Sequence, residues 1–376
     1  MKRCQRYLRY FSRSCQSLVK GMELREIVCR LEDYAPLPLA ESWDNVGLLV
    51  EPLKANHLVR SILLTNDLTE AVMDEAIEKN TNMILSYHPP IFSPLKTLTR
   101  NSWKERVILK AIENKVAIYS PHTAFDAVTG GVNDWLASGL GKGMVKPLRS
   151  TLVDGSLGTH MVKFVFPGAD ELSNKSLTVD EIVTKLKQAE KSININVRKH
   201  VDDSDVSINC NAVSLGKIMT FLNSEIPEVL KSTNVFSLAK IPLQDTGVGR
   251  LCTLEEAVSV ETLVKRIKDH LKLDRIRFAS AVRPSCQNGL VKTIAICAGS
   301  GGSVLKGIKA DMYLTGEMSH HDILDAVSCG IHVVLGEHSN TERGFLNIFS
   351  HVLYNMLEHK VTIHDSNIDK DPIQIV

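Results

Sequence analysis

Short apolar runs alternate with amphipathic stretches of helical period, and most of the runs stop at a polar motif. That alternation limits the chain to an α/β fold more firmly than its composition does. Residues 61–65, 83–85 and 116–119 are compact apolar runs of strand length. Between them, 69–79 carries Val72, Ala76 and Ile77 on one helical face, and 102–114 also has helical period. Strands alternating with helices predict a parallel sheet with right-handed crossovers. The same order returns near the C-terminus: strands at 293–297, 312–314 and 331–335, helices at 303–308, 321–328 and 341–358. This repetition predicts an α/β fold of two similar lobes with mainly parallel sheets.

The text between the two regular segments differs. Residues 151–245 have longer polar stretches and weaker periodicity, with helices expected at 178–189 and 214–222 and strands at 161–166 and 193–198. They read as a small α+β insert. The expected organisation is therefore a basic leader or tail at 1–22, an N-terminal lobe at 23–150, the insert at 151–245 and a C-terminal lobe at 246–376. A length of 376 residues suits two or three domains.

Composition narrows the partners. The chain is 44% hydrophobic and 23% charged, which permits a sizeable core. A formal charge of +1 argues against a dominant nucleic-acid surface. No stretch reaches the roughly 18 apolar residues of a membrane span. Eight cysteines, none in a C-x-x-C pair, fit a reducing compartment, and Cys297 and Cys329 sit in apolar runs as buried thiols do.

The near-zero charge is a sum of unlike parts. Lys2, Arg3, Arg6, Arg9, Arg13 and Lys20 precede the first acid, Glu23, and removing these six from +1 leaves −5 for 23–376. Arg6, Arg9 and Arg13 recur at helical spacing among serines. An acid-poor, Arg- and Ser-rich leader fits a mitochondrial transit peptide. A disordered basic tail, with Met22 as a second start of the folded chain, fits equally, and leaves the protein cytoplasmic or nuclear.

Polar residues at the carboxyl ends of parallel strands are where α/β proteins place their sites. Four such ends supply Tyr87 and His88, His122 with Asp126, Glu317, and His338 with Glu342. His320 and His321 lie beside the Glu317 motif; His332 begins a strand and is set aside. Imidazole and carboxylate without thiolate suit a borderline or hard divalent cation. Each piece alone has a bland reading: His88 as a loop histidine, Asp126 as a turn cap, Glu317 as a loop acid. Their common position at strand ends is the stronger signal. Gly299-Ser300-Gly301-Gly302 lies between a strand and a helix. Free N–H groups there would meet a substrate anion, or the turn is simply tight packing. No Walker lysine, G-x-S-x-G or H-E-x-x-H pattern is present.

Seven motifs in order carry a resemblance. They are Ser42-Trp43-Asp44-Asn45-Val46-Gly47-Leu48, His88-Pro89, His122-Thr123-Ala124-Phe125-Asp126, Gly130-Gly131-Val132-Asn133-Asp134, Gly299-Ser300-Gly301, Thr315-Gly316-Glu317 and Gly336-Glu337-His338-Ser339-Asn340-Thr341-Glu342. Over 23–150 and 246–376 the chain resembles the NGG-one-interacting factor three-like family, also grouped as GTP cyclohydrolase I type 2 homologues, and above all its animal members. The resemblance implies two lobes facing across a dinuclear metal site, ring-like homo-oligomers, and metal ligands at His88, Asp126, His338 and Glu342. Tyr87 departs from the family's usual pair of adjacent histidines. A phenol is a poor ligand near neutral pH, so the expectation is one bound cation, or a second held more weakly.

Three functions follow as rivals. The first is a metal-dependent hydrolase of a nucleotide or similar anion, with Glu342 or Glu317 taking the proton of a metal-bound water. Tyr87, His122, Gly299, Gly301 and His321 would then flank the ligands or touch substrate. The second is a non-enzymatic interaction protein acting on transcription through protein cofactors. The third is a scaffold in which the cation only joins the lobes.

Overall fold

The computed structural model describes residues 20–155, 158–167, 178–282 and 289–373. Residues 1–19, and with them both readings of the leader, lie outside the described residues. The chain divides into two compact units, Met1–Thr151 with Gln244–Val376, and Leu152–Leu243.

The first unit holds two mixed sheets. In one, the order is Thr362–Asp365, Ser61–Thr65, Met83–Ser86, Ala117–Ser120, Gly47–Val50, with only the last strand antiparallel to its neighbour. In the other, the order is Arg277–Ala279, His332–Leu335, Met312–Glu317, Leu290–Ser300, Arg250–Ser259, Gly143–Lys146. Only the pairings among His332–Leu335, Met312–Glu317 and Leu290–Ser300 are parallel there. The expectation of mainly parallel sheets is thus corrected to mixed ones. Between Arg250–Ser259 and Leu290–Ser300 lie a helix, Val260–Leu271, and a strand at the far sheet edge, Arg277–Ala279. The connection is not a single crossover, and the two neighbours run in opposite directions.

The apolar runs are strands buried on both faces, which is why they lack alternation. Ile62 and Leu64 enter one core with Leu85 and Tyr119, while Leu63 enters another with Ile84, Ile118 and the helical Val72, Met73 and Ala76. The second sheet behaves alike: Ile294, Ile296 and Leu314 face the first core, and Ala295, Cys297 and Tyr313 face a separate cluster. Each wholly buried Leu or Ile is worth ~1.5–3 kcal/mol over exposure. Helix Glu70–Glu78 begins where Thr69 accepts a hydrogen bond from Val72 N. The segments before and after the second unit also exchange strands. Gly143–Lys146 closes one edge of the second sheet, and Thr362–Asp365 closes one edge of the first.

Cys297 is buried as expected, but Cys329 is exposed. It caps the helix His320–Ser328, and the apolar neighbours that suggested burial belong to the helix face and to the next strand.

The second unit is an antiparallel sheet in the order Asn194–Lys199, Ser204–Cys210, His160–Phe166, Asn234–Ser237. Helices Val179–Ala189 and Ala212–Glu225 pack on one face, with Ile182, Leu186, Ile218 and Leu222 against Val162, Phe164, Val206 and Ile208. Among the described residues no helix is long and apolar enough to cross a membrane.

Candidate metal centre

Parallel register aligns the strand ends. Thr65 pairs with Ser86, and Leu85 with Tyr119, so Asn66-Asp67, Tyr87-His88 and Pro121-His122 leave the first sheet along one edge. Cys297 pairs with Thr315, and Thr315 with Leu335; after a shift in register Ser300 pairs with Glu317, so Gly299 and Glu317 lie in the last residues of their strands beside Gly336–His338, which leave the third.

His88, His338 and Glu342 converge, each offering one ligand atom within 4.8 Å of the others. The Nε2 atoms of His88 and His338 each lie 3.3 Å from Glu342, on opposite carboxylate oxygens. The other ring nitrogens are held from behind. His88 Nδ1 stands 2.8 Å from Asp67 Oδ1, and His338 Nδ1 stands 2.9 Å from Glu317 Oε1. A carboxylate on Nδ1 fixes the tautomer that turns the Nε2 lone pair inward, the usual support of a metal-binding imidazole. Asn66 donates its amide to Glu342 Oε2 at 3.1 Å. Asn66 is wholly buried, and its Oδ1 has no partner. Two neutral nitrogens, a buried carboxylate and a free buried acceptor fit a divalent cation.

His338 and Glu342 flank a single 3₁₀ turn, Ser339–Thr341. The turn brings both side chains to one point. Gly299 lies against them with φ +62°, and a Cβ there would fall 2.4 Å from Glu342 Oε1 and 3.1 Å from His338 Nε2. Only glycine fits both the backbone and the space. Gly299→Ala protein should keep a native far-UV spectrum and bind divalent cation at least about tenfold more weakly, the usual loss on disturbing the shell around a site. Unchanged affinity in a calorimetric titration would show that the close approach is packing only.

Asp126 does not join the three-residue group. It lines the same cleft and accepts a 2.5 Å hydrogen bond from Tyr87. Burial drives the Asp126 carboxyl up to about 7, with Glu342 adding to the rise against the Tyr87 hydrogen bond. Burial first, then Asp126 and Glu342, hold the Tyr87 phenol well above its ordinary range. Tyr87 is a neutral donor here, with Asp126 as its acceptor. Burial works against a charge on His88, but Glu342 and Asp67 outweigh it and lift the imidazole to about 10. Without a cation a proton occupies the nitrogen that a cation would take, and a bound cation would displace it.

The remaining expected residues fall in different places. His122 adjoins His88, ring centroids 5.3 Å apart, and its Nδ1 is 2.7 Å from Asp44 Oδ1. Glu317 is half-exposed behind His338 and does not line the cleft. Gly299 N donates to Thr341 Oγ1, and Gly301 N donates to Thr315 Oγ1, so these two amides are occupied within the protein. His321 is exposed at a helix start, where its ring meets that of His320. His332 opens its strand, buried, and accepts from Ala281 N.

Sequence reading missed Asn66 and Asp67, although they follow a strand end by the rule that found the others. It quoted Asp44 and Asn133 without roles. Asp44 also accepts from Thr123 N and Oγ1. Asn133 accepts from Ala298 N and donates to Asp126 O, coupling Asp126 to the strand that delivers Gly299.

A family model described as Duf34/NIF3 (NGG1p interacting factor 3) matches residues 22–372. NIF3-like protein 1 of Rattus norvegicus is 47% identical over 367 residues, covering 96% of this chain and 95% of that protein. NIF3-like protein 1 of Homo sapiens is 46% identical with the same coverage. Among solved structures, the Staphylococcus aureus protein SA1388 matches with a TM-score of 0.71 at 25% identity, covering 95% of this chain and 99% of that one. A Bacillus cereus protein related to NIF3 matches with a TM-score of 0.65 at 25% identity, covering 95% of this chain and 100% of that one.

Proposed function

We propose, since the chain belongs to the Duf34/NIF3 family, that it binds one divalent cation at His88, His338 and Glu342 and hydrolyses a small anionic substrate, of nucleotide type, beside it. The observation that carries this reading is the pair of Nε2 atoms aimed at one carboxylate, each ring fixed from behind by a second acid. A bound cation would act as a Lewis acid and lower the pKa of a coordinated water. Asp67 and Glu317 position the histidines, and Asn66 positions Glu342. Asp126, half-buried on the cleft wall with a carboxyl near 7, is placed to exchange a proton at neutral pH. Because Tyr87 engages Asp126, the reading assigns one strong cation site rather than two. The finer architecture goes with it: two lobes, one per sheet, facing across the cation, in a homo-oligomer.

Elemental analysis of purified protein, with a broad hydrolase screen of wild type against Asp126→Ala, tests this reading. Metal near one per chain and activity lost in the variant would support it. Metal near two, tightly retained, or activity indifferent to both Asp126→Ala and His338→Ala, would sink it. A second reading, a protein-interaction factor, draws on the family's name, which records an interacting factor. It gains if metal-free protein keeps its partners and cellular role.

Metal affinity should depend on pH with a definite sign. His88 rises from 6.5 to about 10 on folding without metal. Its contribution to stability is full below 6.5 and is lost as pH climbs towards 10. Cation binding must expel that proton, so affinity should rise about tenfold per pH unit across this window. Calorimetry in two buffers of different ionisation enthalpy should show about one proton released per cation near pH 8. A pH-independent affinity would remove His88 from the ligand set.

A further inference from the structure

The cleft beside the metal group has a volume of about 480 Å³, room for a small organic molecule as well as a cation. Two features of its wall are used by nothing described so far. The first is an aromatic pair at its mouth. Trp43 is 59% exposed and Phe92 46% exposed, with ring centroids 5.9 Å apart. Large apolar rings left in solvent at a cleft mouth are a standing cost unless something covers them. Ring contacts lead from them to the metal group: Trp43 to His122 at 6.0 Å, His122 to His88 at 5.3 Å, His88 to His338 at 5.2 Å. The second is unpaired positive charge. Arg149 lines the cleft, is exposed, and makes no side-chain hydrogen bond or ion pair among the described residues. Lys104 also lines it and rests over Trp103 without an acidic partner. Glu41 is the acid on this part of the wall, and it has no ion pair with either. The glycine-rich turn has spent two of its amides on Thr341 and Thr315, which are therefore not free to meet an anion.

We infer that the cleft recognises an aromatic anion in two parts, a planar ring stacked on Trp43 with Phe92, tilted 56° to it, against the ring's edge, and a negative group held by Arg149 with Lys104. This rests on the proposed metal site only for what happens to the ligand after it binds. Arg149 is suited to the anion because its planar fork grips phosphate or carboxylate through two N–H groups. Stacking tolerates many rings, since every heterocycle has a π-face. The ligand class is therefore a nucleotide-like anion, read by ring and charge together.

The test uses the full chain with its metal content measured, and three probes: AMP, adenosine and inorganic phosphate. AMP should bind at least about tenfold more tightly than either fragment and quench tryptophan fluorescence. Arg149→Gln should weaken AMP by about ten- to a hundredfold and leave adenosine unchanged. Trp43→Leu should weaken AMP and adenosine alike and leave phosphate unchanged. Trp43 and Arg149 are exposed, so both proteins should fold, with metal content equal to wild type. Phosphate binding as well as AMP, or AMP affinity unmoved by both substitutions, would overturn the inference. The metal reading fails separately. Protein that holds no cation yet binds AMP through Arg149 and Trp43 would keep this site and lose the proposed hydrolysis.

Discussion

Glu342→Gln protein is expected to lose its cation, with affinity at least about a hundredfold below wild type. The substitution changes charge and little else. A glutamine fills the same volume, and its amide oxygen can still accept from Asn66 Nδ2, which lies 3.1 Å from the carboxylate. The loss of the anion is what decides the outcome. Two imidazoles without an acid form a neutral donor pair, and both Nε2 atoms now point at the one carboxylate, 3.3 Å from each. The fold should survive with a moderate loss, because His88 keeps Asp67 and His338 keeps Glu317. Thermal melts separate the two effects. Wild type at a hundredfold excess of cation over Kd gains ~2.7 kcal/mol, and the variant should gain nothing. A variant that melts higher on adding Zn²⁺ or Mn²⁺, as wild type does, would move the site elsewhere.

How much of this was legible follows from the range of each interaction. The central strands of the two sheets were legible as apolar runs, because burial on both faces leaves a run that needs no partner to recognise; the edge strands Gly143–Lys146 and Thr362–Asp365, largely unburied, were not read. The helix after Thr69 was legible from Val72, Ala76 and Ile77 on one face, the last two lying four and five residues beyond the first. His338 and Glu342 were legible as a pair for the same reason. Their meeting with His88 was not a matter of spacing; it rested on the rule that strand ends gather. That rule was applied to 83–85 and 116–119 but not to 61–65, and Asn66 and Asp67 were passed over. Sheet direction was the larger loss. Helix-then-strand text looks the same whether the next strand is a neighbour or lies at the far edge, as Arg277–Ala279 does. Asp44 was visible in its motif, but its hydrogen bond to His122 spans 78 residues and no local pattern announces it. Tyr87 shows the reverse case. Its identity alone argued against a ligand role, and its 2.5 Å hydrogen bond to Asp126 supplies what it does instead.

Arg250→Ala is expected to destabilise the protein by ~3–5 kcal/mol, the range for breaking a buried ion pair by removing one partner. Arg250 is 1% exposed, and all three of its guanidinium nitrogens are engaged. Nε and Nη2 grip Asp134 at 2.6 and 2.9 Å, a two-point pairing that lysine cannot copy. Nη1 donates to the carbonyls of Gly247 and Gly249 at 2.7 and 2.8 Å. Nη2 also reaches those of Ala127 and Val128, at 3.3 and 3.1 Å. Truncation to alanine removes a donor from four carbonyls and two from a carboxylate, of which Asp134 keeps Gly130 N and Val128 keeps Gly131 N, and leaves a cavity besides. Surface ion pairs such as Arg25 with Glu51 offer no comparison, since solvent screens them to ~1 kcal/mol or less. Arg250→Lys should fall between, because one ammonium can hold Asp134 but not the fork of carbonyls. Urea denaturation followed by circular dichroism would read the differences, and a loss below about 1 kcal/mol for alanine would refute the argument. The effect should reach the metal group with less force. Asp134 follows Asn133, which ties Asp126 to Ala298, one residue before Gly299. Loosening Arg250 therefore slackens the helix Val132–Ser138, whose Asn133 ties Asp126 to the second sheet, without touching a ligand. Cation affinity in the folded Arg250→Lys protein should drop by less than in Gly299→Ala, and the order of those two losses distinguishes a support of the fold from a wall of the site.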